Sequence, residues 1–223
     1  MPVENFGHEH EFEPQYGLPE RLPADEHIVW QGSPDAVALA RSAFHMRKLF
    51  VYFALLFLAC AWQAVESGAG IAAILQSVKW ITPLSVVALA SVWVLAWMTA
   101  RTTVYTLTNK RVVMRLGIVL TVSFNLPLKR IAAADIRRLD AGFGDITLAL
   151  HGDDRIAWVH LWPSVRPWRL RKTEPSFRAI ADVQAVSAKL REAWSQATGL
   201  PGQAAAHDLA AHSPASLMQV SPA

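Results

Sequence analysis

The chain has 223 residues, of which 52% are hydrophobic and 17% charged, and its formal charge is +3. That length allows one modest domain beside a membrane-associated segment, and so small a basic excess gives no reason to expect a nucleic-acid partner. Cys60 is the sole cysteine, which excludes an intrachain disulfide and a cysteine-based metal site.

The first 27 residues are polar and acidic. They carry Glu4, Glu9, Glu11, Glu13, Glu20, Asp25 and Glu26 against Arg21 alone, which is a tail rather than a secretory signal. His8-Glu9-His10-Glu11 offers metal-binding side chains, but two histidines without a scaffold are weak ligands. No metal or cofactor is expected. Residues 28–48 follow as a short juxtamembrane segment.

Two uncharged apolar runs come next, at 49–65 and 81–100. A helix needs roughly 20 residues, range about 17 to 25, to cross a hydrocarbon layer. The bilayer interior cannot satisfy a bare backbone, so both runs are expected to be helical. Pro83 falls in the first turn of the second run, where a missing N–H costs little. Residues 71–80 read either as an interfacial turn of helix or as an extension of the second span, with Lys79 reaching outward. Arg41, Arg47 and Lys48 precede the pair, and Arg101, Lys110, Arg111 and Arg115 follow it. The connection has Lys79 offset by Glu66. This asymmetry places both termini in the cytoplasm. Ala59, Ala61, Ala88, Ala90 and Ser91 are small enough for close helix contact, within the hairpin or with a client.

From residue 101 the texture changes to short apolar runs broken by turn residues. Expected strands cover 102–108, 111–117, 118–126, 129–141, 146–152 and 155–162. Asn109-Lys110, Gly142 to Asp145 and Asp153-Asp154 supply turns, and Pro127 supplies a break. The run at 102–108 alternates apolar and hydroxyl side chains, as a half-buried strand does. Asp182 is a plausible N-cap for a closing helix. That helix has an apolar face of Val183, Val186, Leu190, Trp194 and Ala197, and Gly199 and Pro201 stop it. Residues 199–223 have no apolar period and read as a disordered tail.

Several meandering strands closed by one amphipathic helix follow the plan of a pleckstrin-homology-like domain over 101–198. The run Tyr105 to Gly117, with Asn125-Leu126-Pro127-Leu128-Lys129-Arg130-Ile131 and Gly144-Asp145-Ile146, resembles a membrane-anchored bacterial pleckstrin-homology domain. Trp30-x-Gly32-x-Pro34 is similar to the W-x-G-x-P segment ahead of the anchor in those families. Leu161-Trp162-Pro163, Val165-Arg166-Pro167-Trp168-Arg169 and Glu174-Pro175 resemble, more specifically, the photosynthetic complex assembly proteins of purple bacteria, which are encoded beside the reaction-centre H subunit.

The fold class is thus an α+β membrane protein: a two-helix transmembrane hairpin followed by an antiparallel pleckstrin-homology-like β-barrel or sandwich with a C-terminal capping helix. The resemblance implies a non-enzymatic assembly factor for the reaction centre and its core light-harvesting complex, at the cytoplasmic face of the inner (intracytoplasmic) membrane. The alternative is a general membrane-anchored lipid-binding or scaffold protein. Its expected partners are reaction-centre or core antenna subunits and anionic lipid, and self-association stays open. Neither span contains histidine, which disfavours stable pigment ligation within the hairpin; His45 lies just outside the first.

The candidate contact site is the segment Trp162 to Lys172, carrying Trp162, Arg166, Trp168, Arg169, Arg171 and Lys172. Tryptophan and arginine often anchor interfaces, and Pro163 and Pro167 forbid a regular element there. Packing between sheet and helix is the competing role for the two indoles. The basic pairs Lys110-Arg111, Lys129-Arg130 and Arg137-Arg138 admit a phosphate-binding reading, though a solvated face accounts for them more simply. Asp135, Asp140, Asp145, Asp153 and Asp154 are scattered among turns, and no G-x-S-x-G or H-E-x-x-H pattern occurs. No enzyme activity is expected.

Overall fold

A strand on one side of the apolar hairpin pairs with a strand on the other. The computed structural model describes residues 16–68, 70–117, 121–151, 161–166 and 173–199. In chain order these form β1 (Ile28–Gly32), α1 (Ala36–Ser42), α2 (Met46–Glu66), α3 (Gly70–Thr102), β2 (Val104–Thr108), β3 (Arg111–Leu116), β4 (Val122–Pro127), β5 (Ile131–Arg138), β6 (Gly144–Leu150), β7 (Ser176–Ile180) and α4 (Val183–Thr198). The expected strand at 155–162 lies outside the described residues up to residue 160, as do residues 1–15 and the tail from 200.

The strands form two antiparallel sheets, β1-β2-β3-β4 and β5-β6-β7. They share one core, in which Tyr105, Leu107, Val112 and Met114 of the first sheet meet Ile146, Leu148, Phe177 and Ile180 of the second. Each such buried side chain contributes on the order of 1.5–3 kcal/mol. Among the described residues the sheets do not close into a barrel, so the sandwich reading holds and the barrel reading does not. Accordingly α4 does not plug a barrel mouth. It lays Val183, Val186, Leu190 and Ala193 into the shared core, and the Trp194 indole N–H donates to the Ile131 carbonyl at 3.1 Å. Gly144 permits this approach, since a Cβ there would stand 2.7 Å from Val183 Cγ1. Asp182 precedes α4 as expected, but in left-handed backbone and without a side-chain capping bond.

β1 alters the expected organisation. The sequence marks residues 28–48 only as a juxtamembrane segment ahead of the hairpin. In the fold its first residues pair antiparallel with β2, with Gln31 opposite Thr106 and Gly32 opposite Tyr105. This also explains why β2, which alternates like a half-buried strand, is buried along its whole length. Tyr105 and Leu107 face the core. The hydroxyl face is covered by the chain that precedes and forms β1: Gln31 Nε2 donates to Thr106 Oγ1 at 2.9 Å, and Thr108 Oγ1 donates to Glu26 Oε1 at 2.7 Å. Gly17, at φ +74°, fits against Val104, where a Cβ would come within 2.6 Å.

The hairpin is formed by α2 and α3, both long and apolar enough to cross a membrane, and they pack against each other. α3 runs unbroken from Gly70. Residues 71–80 therefore extend the second run, and Pro83 lies well inside the helix rather than in its first turn. No breaker separates Gly70 from Pro83, and a proline in an apolar helix is tolerated where neighbours restore the freed carbonyl. At 33 residues, α3 is roughly 50 Å long, more than a hydrocarbon core of about 30 Å requires. Ala64 and Ser85 are buried, whereas Phe50, Leu58, Trp62, Leu84 and Val86 are exposed. The helices thus present apolar flanks rather than filling the core of the domain. Ala59, Ala90 and Ser91 remain on the exposed surface.

Glu26 fastens the chain ahead of β1 to the sheet, accepting from Arg111 Nε at 2.7 Å as well as from Thr108. Burial pushes its carboxyl up, but these hydrogen bonds and the Arg111 charge outweigh burial and hold it below its ordinary value of 4.5. Since the folded value is the lower one, the stabilisation is complete above the ordinary value and is lost as pH falls through the folded value. A Glu26→Gln variant should therefore be less stable than wild type at pH 7, with the difference shrinking as pH drops below about 4.5. Thermal unfolding of both proteins across that range checks this, and a pH-independent gap would refute it.

Candidate functional site

The segment singled out for its tryptophans and arginines meets the hairpin at its polar end. Leu161 and Val165 are buried. Backbone bonds fix this stretch to the lead-in of β7: Arg166 N–H donates to the Glu174 carbonyl at 3.0 Å and Ser176 N–H to the Ser164 carbonyl at 2.9 Å. Val165 also forms an isolated bridge to Pro175. Such anchoring leaves little choice in where residues 162 and 166 point.

Trp162 and Arg166 have different roles. Trp162 is 44% exposed and meets the Phe44 ring edge-on, with centroids 5.5 Å apart and planes at 85°. Phe44 lies in the break between α1 and α2, so this contact ties the domain to the entrance of the hairpin. Arg166 turns inward: its guanidinium donates to Glu174 Oε2 at 3.1 Å and lies 3.4 Å from Asp135 Oδ2. Glu174 is buried, so Arg166 compensates a carboxylate of the fold and is a poor candidate for partner contact. Trp168, Arg169, Arg171 and Lys172 lie outside the described residues.

Beneath this segment is a buried polar network. The Tyr105 hydroxyl is 2.7 Å from Ser164 Oγ and accepts the Arg178 N–H at 3.2 Å. Burial, partly offset by these hydrogen bonds, pushes the Tyr105 phenol up to about 12, so it stays neutral at physiological pH. Asp145 lies 3.5 Å from the Arg178 guanidinium and accepts the Ala179 N–H at 2.8 Å. The Ala179 carbonyl accepts the N–H of Asp35 at 2.9 Å, and Asp35 Oδ1 caps α1 by accepting from Ala38 N–H at 2.8 Å. The network thereby sets the position of α1 against β7.

The three basic pairs separate on the same geometry. Lys110 and Arg111 are matched by Asp25 and Glu26. Lys129 and Arg130 form a 3-10 turn after β4. Arg137 and Arg138 end β5 on the side of α1 and α2. His45, the histidine nearest the hairpin, is held below its ordinary value by burial and by Lys48, Arg178 and Arg137. Among the described residues no group of three or more His, Cys, Asp or Glu is placed to hold a metal; the motif from His8 to Glu11 lies outside them.

Phe44 and α1 were missed in the sequence. The available signal was Asp35 followed by Ala-Val-Ala-Leu-Ala-Arg, a capping residue before a short run of helix formers.

Comparison with known proteins adds three findings. Residues 48–194 match the bacterial PH domain family. A relative from Rhodobacter capsulatus, named as an uncharacterized 23.7 kDa protein in the puhA 5′ region, is 38% identical over 191 residues, covering 83% of this chain and 87% of that protein. The crystal structure of a DUF1696 family protein with a pleckstrin-homology domain, from Shewanella loihica PV-4, aligns with 12% identity over 40% of this chain and 69% of that one. Its TM-score is 0.28.

The different settings of Trp162 and Arg166 can be measured. Trp162→Ala should cost about 1 kcal/mol, the scale of one edge-to-face ring contact, rather than the roughly 3–5 kcal/mol of a fully buried aromatic. Arg166→Ala removes a cation facing buried Glu174 and should cost more, about 2 kcal/mol. Thermal unfolding of the two variants in the same detergent gives the order; the reverse order would make Trp162 the structural residue.

Proposed function

The chain belongs to the bacterial PH domain family, and from that premise we propose that it is a membrane-anchored, non-enzymatic assembly factor for the photosynthetic reaction centre and its core light-harvesting complex. The observation that carries this reading is the Rhodobacter capsulatus relative. Its similarity extends over most of both chains, and its name places it in the puhA 5′ region, a photosynthesis locus. The residues Trp162 to Glu174, which resemble the assembly proteins of purple bacteria, point the same way.

In this reading α2 and α3 anchor the domain. Their exposed apolar flanks suit lipid, since contiguous apolar surface of this extent is unfavourable in water. The β1–β2 pairing brings the two ends of the hairpin to one side. Arg41, Arg47, Lys48 and Arg101 flank the hairpin on that side, and their charge supports a cytoplasmic placement. Arg101 lies over the Trp97 ring, 4.8 Å from its centroid, an arrangement suited to the headgroup level. The client contacts fall to the exposed edge of Trp162 and the outer flanks of the hairpin. The role needs no catalytic group, because holding a newly inserted subunit beside its partner is a matter of effective concentration.

Deleting the gene should lower the near-infrared absorbance of both the reaction centre and the core antenna in isolated membranes, with restoration by the wild-type gene in trans. Unaltered spectra would overturn the proposal.

A further inference from the structure

A cleft of about 290 Å³ opens between α1, the first turn of α2 and the end of β5. Four arginines line it, Arg41 and Arg47 on one wall and Arg137 and Arg138 on the other, together with Ser42, Asp35 and Asp140. All four arginines are exposed, and none has an ion pair or hydrogen bond among the described residues. Asp35 is already engaged in capping α1. Ser42 Oγ is buried without a hydrogen-bond partner.

This arrangement is costly if the cleft stays empty. Like charges converge on a concave site, and a shielded hydroxyl goes unsatisfied. By contrast, Lys110 and Arg111 are matched by Asp25 and Glu26. An anion with several acceptor oxygens would answer the converging charge. Guanidinium groups match phosphate oxygens in paired hydrogen bonds, which carboxamide or ammonium groups do not reproduce.

Size and position narrow the ligand. The cleft lies at the small end of ligand pockets, which run from roughly 300 to 1,000 Å³, and suits one phosphate group with a small substituent. Arg47 stands two residues before Leu49, where the apolar run begins, so the mouth lies level with the polar end of the hairpin. Basic pockets at that depth on the cytoplasmic side recognise lipid headgroups. We propose that this cleft binds the phosphate of an anionic phospholipid headgroup, gripped between the α1–α2 arginines and the β5 arginines. The site is independent of which client the protein serves.

The test uses the full chain in a neutral detergent, titrated in parallel with short-chain phosphatidylglycerol, short-chain phosphatidylcholine and inorganic phosphate, with bound ligand counted by native mass spectrometry. Saturable binding of phosphatidylglycerol is expected, with phosphatidylcholine and inorganic phosphate each weaker by about tenfold or more. Arg137→Gln/Arg138→Gln and Arg41→Gln/Arg47→Gln should each weaken phosphatidylglycerol by about tenfold or more. The distant pair Lys129→Gln/Lys189→Gln should leave it unchanged. Thermal unfolding verifies that each variant folds; if one cleft pair does not, the other decides. Equal binding of the two lipids, or no effect of a folded cleft variant, overturns the site. Inorganic phosphate binding as tightly as phosphatidylglycerol overturns the lipid assignment in favour of a soluble phosphate ligand.

Discussion

The pairing of β1 with β2 is the constraint on which the rest of the architecture depends. The two strands are separated in sequence by the whole hairpin, yet Gln31 stands opposite Thr106 and Gly32 opposite Tyr105. A closure over so many residues is entropically unfavourable, but the cost grows only logarithmically with length. The packing of α2 on α3 reduces it further by bringing the ends of the loop together. Once β1 is in place, Trp30 reaches Phe177, with ring centroids 5.9 Å apart, and Phe177 stacks on Tyr105 at 4.7 Å. One strand from ahead of the hairpin thus completes the core of a domain encoded after it. The domain is therefore not a module tethered through one flexible end. It is clamped to its hairpin by both.

The second determinant is buried charge. Asp145 and Arg178 are both almost wholly shielded, and taking two ions out of water offsets much of their attraction. Hydrogen bonding gives the pair its value: the Asp145 carboxylate also holds the Ala179 N–H, and the adjoining carbonyl holds Asp35. The same stretch of β7 thereby fixes both a core contact and the start of α1. A buried pair of this kind does more for the position of a helix than for overall stability, because it tolerates only one geometry. In this chain that geometry sets where Arg41 and Ser42 stand relative to β5.

Features governed by local pattern could be read from the sequence. The apolar hairpin, the strands from β2 to β6 and the face of α4 follow from period and turn chemistry, and apart from the start of α3, which moved from residue 81 to Gly70, their bounds shifted by only a few residues. What could not be read depended on pairing across distance. Ile28 to Gly32 lacks a full apolar alternation, and its partner lies beyond the hairpin. β2 alternates like a half-exposed strand because Thr106 and Thr108 are polar, yet both are buried once Gln31 and Glu26 meet them. Pro83 marked an apparent helix start because proline favours the first turn. A helix this apolar continues through it, so the local rule yields to the surroundings.

Charged residues show the same limit most sharply. Lys110-Arg111 and Arg137-Arg138 are indistinguishable as dipeptides, and each admitted the same phosphate reading. Their meaning comes from what the fold sets against them. The first pair faces Asp25 and Glu26, delivered by the chain ahead of β1, and becomes part of the clamp. The second faces Arg41 and Arg47, delivered by α1 and α2. A fold can neutralise basic residues with its own carboxylates or leave them converging on a cavity, and this one does both within a single domain. Arg166 repeats the first case: it sits in the segment richest in arginine and tryptophan, yet its charge is directed at Glu174 and Asp135. Positive charge that remains unmatched after folding, rather than positive charge in sequence, is what distinguishes a binding surface from a structural one.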